Sequence, residues 1–259
     1  MAISVQNKLI VVFGPTSSGK TDLALRIAKF IWGRMQIQSE FINADSRQVY
    51  KDMNIGASRV GKTFQKKFPY HLAQILEPGK KLDAESYKKL ALQKIEEIHK
   101  RGNLPILEGG TGTYIMSVVG DQFIVNPRNK GVGKIFEALF FIPSFNRKIL
   151  YRKIEKSVDK MFQDGLYKEV KNIIITYGGR TDILEGTIGY RQFVEYCLRN
   201  NAIITKLENK DLKRIAWMIK RDTKKYAMHQ IAWLKKLKDY KIVREFKNIE
   251  NLLLEFVEK

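Results

Sequence analysis

The sequence predicts an α/β fold, a parallel sheet with helices on both faces, followed by a basic and mainly helical C-terminal part. Three observations carry that expectation. Short apolar runs rich in β-branched residues alternate with helix-period segments up to about residue 145, as in parallel strands buried on both faces. A glycine-rich segment joins the first such run to the first helix. From Asn146 onward the periodicity is almost wholly helical until Tyr240–Arg244, which reads as a late strand.

Taken in order, Lys8–Phe13 is the first strand, with Ile10, Val11 and Val12 suited to a buried parallel position. The first helix runs from Asp22 to Ile31, with Leu23, Ile27 and Phe30 on one face. Phe41–Ala44 is a second strand that stops at Asp45. Asp83 opens a long helix carrying Tyr87, Leu90, Ile95 and Ile98 and ending near Gly102. Leu104–Glu108 is a third strand and Ala138–Ile142 a fourth. The expected division is 1–145 for the α/β core, 146–239 for the helical part, and 240–259 for a terminal strand and helix that return to the core.

Composition narrows the function. Of 259 residues, 47 are Lys or Arg and 27 Asp or Glu, a net charge of +20 that calls for a polyanionic partner, nucleic acid before membrane. An aromatic content of 11% argues against disorder. The single cysteine, Cys197, excludes a disulfide framework or a multi-thiolate zinc site, and reads as a buried small apolar residue. No basic region precedes the first apolar run and no run approaches membrane-spanning length, so a soluble, cytoplasmic protein is expected.

Gly14-Pro15-Thr16-Ser17-Ser18-Gly19-Lys20-Thr21 fills the pattern G-x-x-x-x-G-K-[ST] between a strand and a helix, which makes the core P-loop NTPase-like. Backbone amides and the helix N-terminus converge there on a phosphate, Lys20 adds a charge, and the Thr21 hydroxyl is placed to ligate Mg²⁺. The loop by itself does not say which phosphate ester binds. Asp45 and Thr111 lie beyond strand ends that point to the ligand crevice of an open parallel sheet, so both are expected to face the loop. A carboxylate there can take a proton and a hydroxyl can align a substrate, while the bland reading of Asp45 is a helix N-cap. Glu108, at the end of its strand, fits a magnesium ligand or an outer-sphere residue, and neither role is assigned.

In this order, GPTSSGKT, ADSRQVY, PYHL, GGTGTY, IGYRQ and TKKYAMHQIAWL resemble the tRNA dimethylallyltransferases (tRNA isopentenyltransferases), as does RKIEKSVDKMFQDGLYKEV. The matches run from Lys8 to about Leu237. The resemblance implies transfer of a dimethylallyl group from dimethylallyl diphosphate to N6 of the adenosine 3′ to the anticodon, with Mg²⁺. It implies that Gly14, Thr16, Ser17, Ser18, Gly19, Lys20 and Thr21 hold the diphosphate, with Thr21 on the metal. It makes Asp45 the general base and Thr111 a substrate-positioning residue. Asp45, Ser46, Arg47 and Gln48 become tRNA contacts. The expected partners are the tRNA anticodon stem-loop and the prenyl donor, with no membrane, and the expected state is a monomer.

Two departures stand out. The family's late motif reads Thr-Arg then Ala-Lys-Arg-Gln, where this chain has Thr223-Lys224 and Ala227-Met228-His229-Gln230. Lys224 keeps the charge of a leaving-group clamp without the bidentate fork of arginine, and Arg221 is the alternative clamp. The family's helical insert before the fourth strand is also replaced by the short polar connection VGDQFIVNPRNKGVGK.

The helix from about Leu207 to Leu237 carries a lysine run interleaved with Trp217, Tyr226 and Trp233, which raises nucleic-acid contact above a merely solvated face, and Lys213, Lys220 and Lys225 are its candidate tRNA contacts. His71, in PYHL, and His99, near a helix end, read as structural. Three competing readings stay open at this stage: an adenylate dimethylallyltransferase, a small-molecule P-loop kinase, and an inactive RNA-binding relative.

Overall fold

In the computed structural model, which describes residues 5–120 and 136–258, six strands form one parallel sheet in the order β3-β2-β4-β1-β5-β6. The strands are β1 (Lys8–Phe13), β2 (Ser39–Asn43), β3 (Tyr70–His71), β4 (Leu104–Gly109), β5 (Glu137–Pro143) and β6 (Lys241–Val243). Every residue of β1, β2 and β4 is buried, as expected of central strands covered on both faces. The short connection expected at 119–134 lies almost wholly outside the described residues.

Alternation along the strands divides the core. Leu9, Val11 and Phe13 face α3 (Ala84–Lys100) and α4 (Gly112–Val119), with Tyr87, Ile95, Tyr114 and Val118. Ile10 and Val12 face α1 (Lys20–Met35) and α10 (Glu250–Glu258), with Ile27, Ile31 and Leu253. Burying each such Leu, Ile or Phe contributes about 1.5–3 kcal/mol. Asp83 caps α3 by accepting the Ser86 amide at 2.7 Å. Helix α1 runs four residues past the expected Ile31, because Gly33 costs only about 1 kcal/mol and the true stop is Gln36 in the left-handed region (φ 56°).

The helical part comprises α5 (Arg147–Gln163), α6 (Leu166–Thr176), α7 (Asp182–Glu185), α8 (Arg191–Asn200) and α9 (Asn209–Leu234). Its own core joins Val158, Leu166, Ile173, Phe193 and Ile219 to Met53 and Ala57, from the chain following β2. Strand β6 then pairs with β5 at Phe141–Lys241 through Pro143–Val243, and α10 packs beside α1. The buried Lys8 ammonium reaches the Val257 carbonyl at 2.8 Å, tying the first strand to the last helix.

Three elements escaped the sequence: helix α4 over the expected GGTGTY loop, the short helix α2 (Lys62–Lys67) and the two-residue strand β3. The last two are too short to show a period, and α4 is only eight residues long behind a glycine-rich start. The edge of the sheet is held by Glu40 of β2, buried under Arg101 (2.8 and 2.9 Å), Asn103 (2.7 Å) and His71 (2.6 Å). His71 is therefore structural. So is His99, whose Nε2 meets the Lys8 carbonyl at 2.9 Å.

Burial alone would raise the Glu40 pKa, but its hydrogen bonds with Arg101, Asn103 and His71 and the Arg101 charge win and hold it at about 2. A depressed carboxylate stabilises the fold above its unfolded pKa and loses that contribution as pH falls through the folded value. We expect Glu40→Gln to be about 3 kcal/mol less stable than wild type at pH 6, the gap closing between about pH 4.5 and 2. Urea unfolding across that range checks this; a pH-independent gap would refute it.

Candidate active site

The site begins with the turn from β1 to α1. Ser17 (φ 61°) and Gly19 (φ 90°) take the left-handed region, so the chain reverses tightly and the first amides of α1 are presented at one point. The buried Ser18 hydroxyl has no partner among the described residues. Behind the loop, Glu108 ends β4 between Val12 and Asn43 and is 2% exposed. It accepts the Thr21 hydroxyl at 2.9 Å and the Tyr70 hydroxyl at 3.0 Å. Burial pushes the Glu108 pKa up, against the nearby Lys20 charge and these two hydrogen bonds.

The segment after β2 forms the facing wall. Buried Asn43 accepts the Asp45 amide and donates to the Asp45 and Leu72 carbonyls, each at 3.1 Å. Asp45 opens a turn rather than a helix, and its Oδ1 accepts the Arg47 amide at 3.0 Å. The cap-like role and a place on the cavity lining thus coexist in one side chain. The Thr111 hydroxyl accepts the Ser46 amide at 2.9 Å and donates to the Ser46 hydroxyl at 3.1 Å. The Arg47 guanidinium donates to the Gly186 carbonyl.

Helix α9 closes the site with one face. Ile219, Thr223, Tyr226 and Gln230 recur at helical spacing. Gln230 Oε1 accepts the Thr16 amide at 2.9 Å and its Nε2 donates to the Gly110 carbonyl at 2.8 Å. Tyr226 engages the Thr111 and Gln230 side chains, and burial, then the Asp45 charge, push its pKa up to about 12, so it stays a neutral hydroxyl. Close approach explains two glycines of GGTG. A Cβ on Gly109 would sit 2.2 Å from the Ala44 carbonyl group, and one on Gly110 would sit 2.4 Å from Gln230 Nε2.

These parts enclose a cavity of about 470 Å³. Thr16, Ser17 and Gly19–Asp22 line one side, Asp45, Arg47 and Gln48 another, and Gly56–Ser58, Ile188, Gly189, α5 and α9 the rest. Phosphate donors and a carboxylate thus share one space. Thr111 does not line it; the hydroxyl acts one step back, holding Ser46 and meeting Tyr226.

The expected clamps lie elsewhere. Lys224 pairs with Glu155 on α5 and lies over the Tyr151 ring, and Arg221 bonds its neighbour Asp222 at 2.7 Å and stacks on Trp217. Both leave the cavity face because the register that points Thr223 and Tyr226 inward turns residues 221 and 224 away. Among the described residues, the cations that do line the cavity are Lys20, Arg47 and Lys153, the last from α5. Lys213 and Lys225 are exposed, about 18 Å apart along α9 and about 120° apart around it, while Lys220 is paired with Asp159. Trp217 is 48% exposed, Trp233 packs on Phe13 at 5.0 Å between ring centroids, and His229 is exposed.

The family description "IPP transferase" matches residues 48–139 and 125–237, two pieces that overlap around the short connection. The tRNA dimethylallyltransferase of Oenococcus oeni is 29% identical, over 89% of this chain and 86% of its own length. That of Finegoldia magna is 28% identical, over 98% of each. The tRNA isopentenylpyrophosphate transferase structure from Bacillus halodurans superposes with a TM-score of 0.79 at 24% identity, over 98% of this chain and 97% of that one.

The placement of cations makes a direct prediction. Lys153→Ala should weaken inorganic diphosphate binding by about fivefold, an exposed charge contact of about 1 kcal/mol being lost from the cavity lining, and Lys224→Ala by no more than about twofold. Calorimetric titration of both variants decides it, and the reverse ranking would restore Lys224 as the clamp.

Proposed function

Since the chain belongs to the IPP transferase family, we propose that it is a tRNA dimethylallyltransferase, which moves a dimethylallyl group from dimethylallyl diphosphate to N6 of the adenosine 3′ to the anticodon. The observation that carries this reading is the shared cavity, in which a phosphate loop faces Asp45 and no second carboxylate from the loop after β2 competes with it.

In this reading the diphosphate lies on the loop amides from Ser17 and Gly19 to Thr21, the Thr16 amide being held by Gln230 and that of Ser18 by the Pro15 carbonyl, with Lys20 and Lys153 drawing on its charge. The N6 amine attacks the first carbon of the dimethylallyl group. The new N–C bond forms as the C–O bond to diphosphate breaks, and the amine proton passes to Asp45. Oδ1 of Asp45 is committed to the Arg47 amide, so the proton goes to the second oxygen. An exocyclic amine is a weak nucleophile, and alignment by the Ser46–Thr111–Tyr226 group against the fixed loop supplies much of the acceleration. The adenine leaves its stack to enter, at a cost of a few kcal/mol that contacts from Arg47 and Gln48 offset.

The donor set suits Mg²⁺. The Thr21 hydroxyl, its proton given to Glu108, offers oxygen lone pairs, and Asp22 and Asp45 line the same cavity. No group of three or more His, Cys, Asp or Glu is arranged to hold a metal among the described residues, as expected of an ion that keeps its waters and arrives with phosphate. When bound it would neutralise charge on the departing diphosphate.

Incubation with dimethylallyl diphosphate, Mg²⁺ and tRNA, followed by nucleoside mass spectrometry, tests the activity; prenylation of AMP but not of an anticodon stem-loop would overturn it. Asp45→Asn should lower the rate about 10²–10⁴-fold while diphosphate and tRNA binding stay near wild type. Turnover within a few-fold of wild type would leave Asp45 as a turn residue only.

For tRNA binding, five neutralised phosphates would give a log–log salt slope near −4. With Lys220 held by Asp159, the exposed pair carries the effect: Lys213→Gln with Lys225→Gln should flatten the slope by about two and weaken all tRNAs alike. A slope equal to wild type would make these lysines a solvated face.

A further inference from the structure

We propose that Met161 is the gate that sets the length of the prenyl donor: its side chain closes the apolar end of the cavity and confines the donor to a five-carbon chain. The inference rests on the reading of this cavity as a prenyl diphosphate site and adds to it which donor fits.

Two cavities meet at this side chain. Beside the one that holds the phosphate loop and Asp45 lies a second, of about 390 Å³, whose lining includes Ile55, Arg59 and Val60. Ser58, Ser157 and Met161 line both, so these three form the partition. Two of them are serines. The bulk of the partition is the thioether chain of Met161, half-buried against the core of the helical part. Ala57, Val158 and Ile219 of that same core also line the first cavity. They make its apolar end, where the methyl groups of a donor leave water while the diphosphate stays on the loop.

The step across the partition matches one more isoprene unit. That unit lengthens a prenyl chain by about 5 Å, close to the rise of about 6 Å from Ser157 to Met161 on α5. A ten-carbon donor therefore runs into Met161, and the space it needs lies directly behind. The charges of the second cavity are already engaged. Arg59 donates from its two terminal nitrogens to Asn54 Oδ1 at 2.7 Å and Gln65 Oε1 at 3.0 Å, and Lys160 pairs with Asp164 at 2.8 Å. What remains for a ligand there is the apolar surface of Ile55, Val60 and Met161 itself. An unbranched methionine fills such a gap by contact alone, and cutting it to alanine leaves a space that its neighbours only partly refill.

The test uses the full chain, Mg²⁺, and dimethylallyl and geranyl diphosphates. Each donor is first titrated calorimetrically without RNA. The two then compete for transfer to tRNA, and mass spectrometry of the nucleosides gives the product ratio. The quantity read is the preference for the five-carbon donor. Wild type should show a preference of about 100-fold or more in transfer. Met161→Ala should narrow it by about tenfold or more, in binding and in transfer alike, through a gain on geranyl diphosphate. Met161→Leu nearly conserves volume and should stay within about threefold of wild type. General damage to the fold lowers both donors together and leaves the ratio unmoved. If Met161→Ala does not fold, Met161→Val, which removes less of the side chain, supplies the same reading.

A preference equal to wild type in the alanine or valine variant overturns the gate, and so does a wild-type protein that takes both donors equally well. Wild-type protein that binds dimethylallyl diphosphate but transfers nothing to tRNA overturns the proposed function instead, and the binding ratio then decides the gate by itself. Wild-type protein that binds neither donor overturns the diphosphate reading, and this inference with it.

Discussion

One amide side chain joins the two halves of the site. Gln230, buried on α9, accepts the Thr16 amide of the phosphate loop and donates to the Gly110 carbonyl beyond β4. It thereby fixes the distance between the loop that holds phosphate, the loop that carries Thr111, and the helix that carries Tyr226. The constraint runs outward from there. Gly110 has no room for a Cβ because Gln230 lies against it, and Gly109 has none because Ala44 does. Thr111 in turn holds Ser46, and Ser46 follows Asp45. Asp45 and the phosphate loop are thus aligned by a chain of hydrogen bonds, which is how a rigid scaffold places side chains to within about 0.5 Å.

A second, half-buried clamp fixes the far wall. The Glu169 carboxylate on α6 accepts the amides of Asn54, Ile55 and Gly56 and the Tyr190 hydroxyl at 2.7 Å. The segment it holds supplies Gly56, Ala57 and Ser58 to the cavity, so the helical part shapes the site from behind as well as from α9. The two units share one site, and neither completes it alone.

Charge is partitioned by the same packing. Helix α9 carries cations on most of its surface, yet Lys220 and Lys224 are taken up by Asp159 and Glu155 of α5, and Arg221 by Asp222. The first two pairs fasten α9 to α5, and Arg191 and Gln192 fasten α8 to Asp222, while α5 returns a cation of its own, Lys153, to the cavity. A net charge of +20 therefore describes the molecule's affinity for a polyanion and says little about which lysine touches the reacting diphosphate.

Much of this was legible in the residues. The parallel sheet follows from β-branched runs alternating with amphipathic helices, and the phosphate loop from a pattern whose glycines and lysine each have a mechanical purpose. Asp45 and Thr111 were placed near the loop because strand ends in such a sheet face one crevice. What the sequence by itself determined is what local periodicity and short motifs encode: the central elements, the loop, and the sign of the charge. Only the tertiary structure decided which side of α9 faces the cavity, and so exchanged Lys224 and Arg221 for Thr223, Tyr226 and Gln230. It alone brought Lys153 from α5, and set the Glu108 carboxylate under Thr21 with Tyr70 of a two-residue strand behind it. Residues 87 apart in the chain meet in that hydrogen bond, and no local rule carries contacts of such separation. They depend on how helix register and strand order combine once the core is packed.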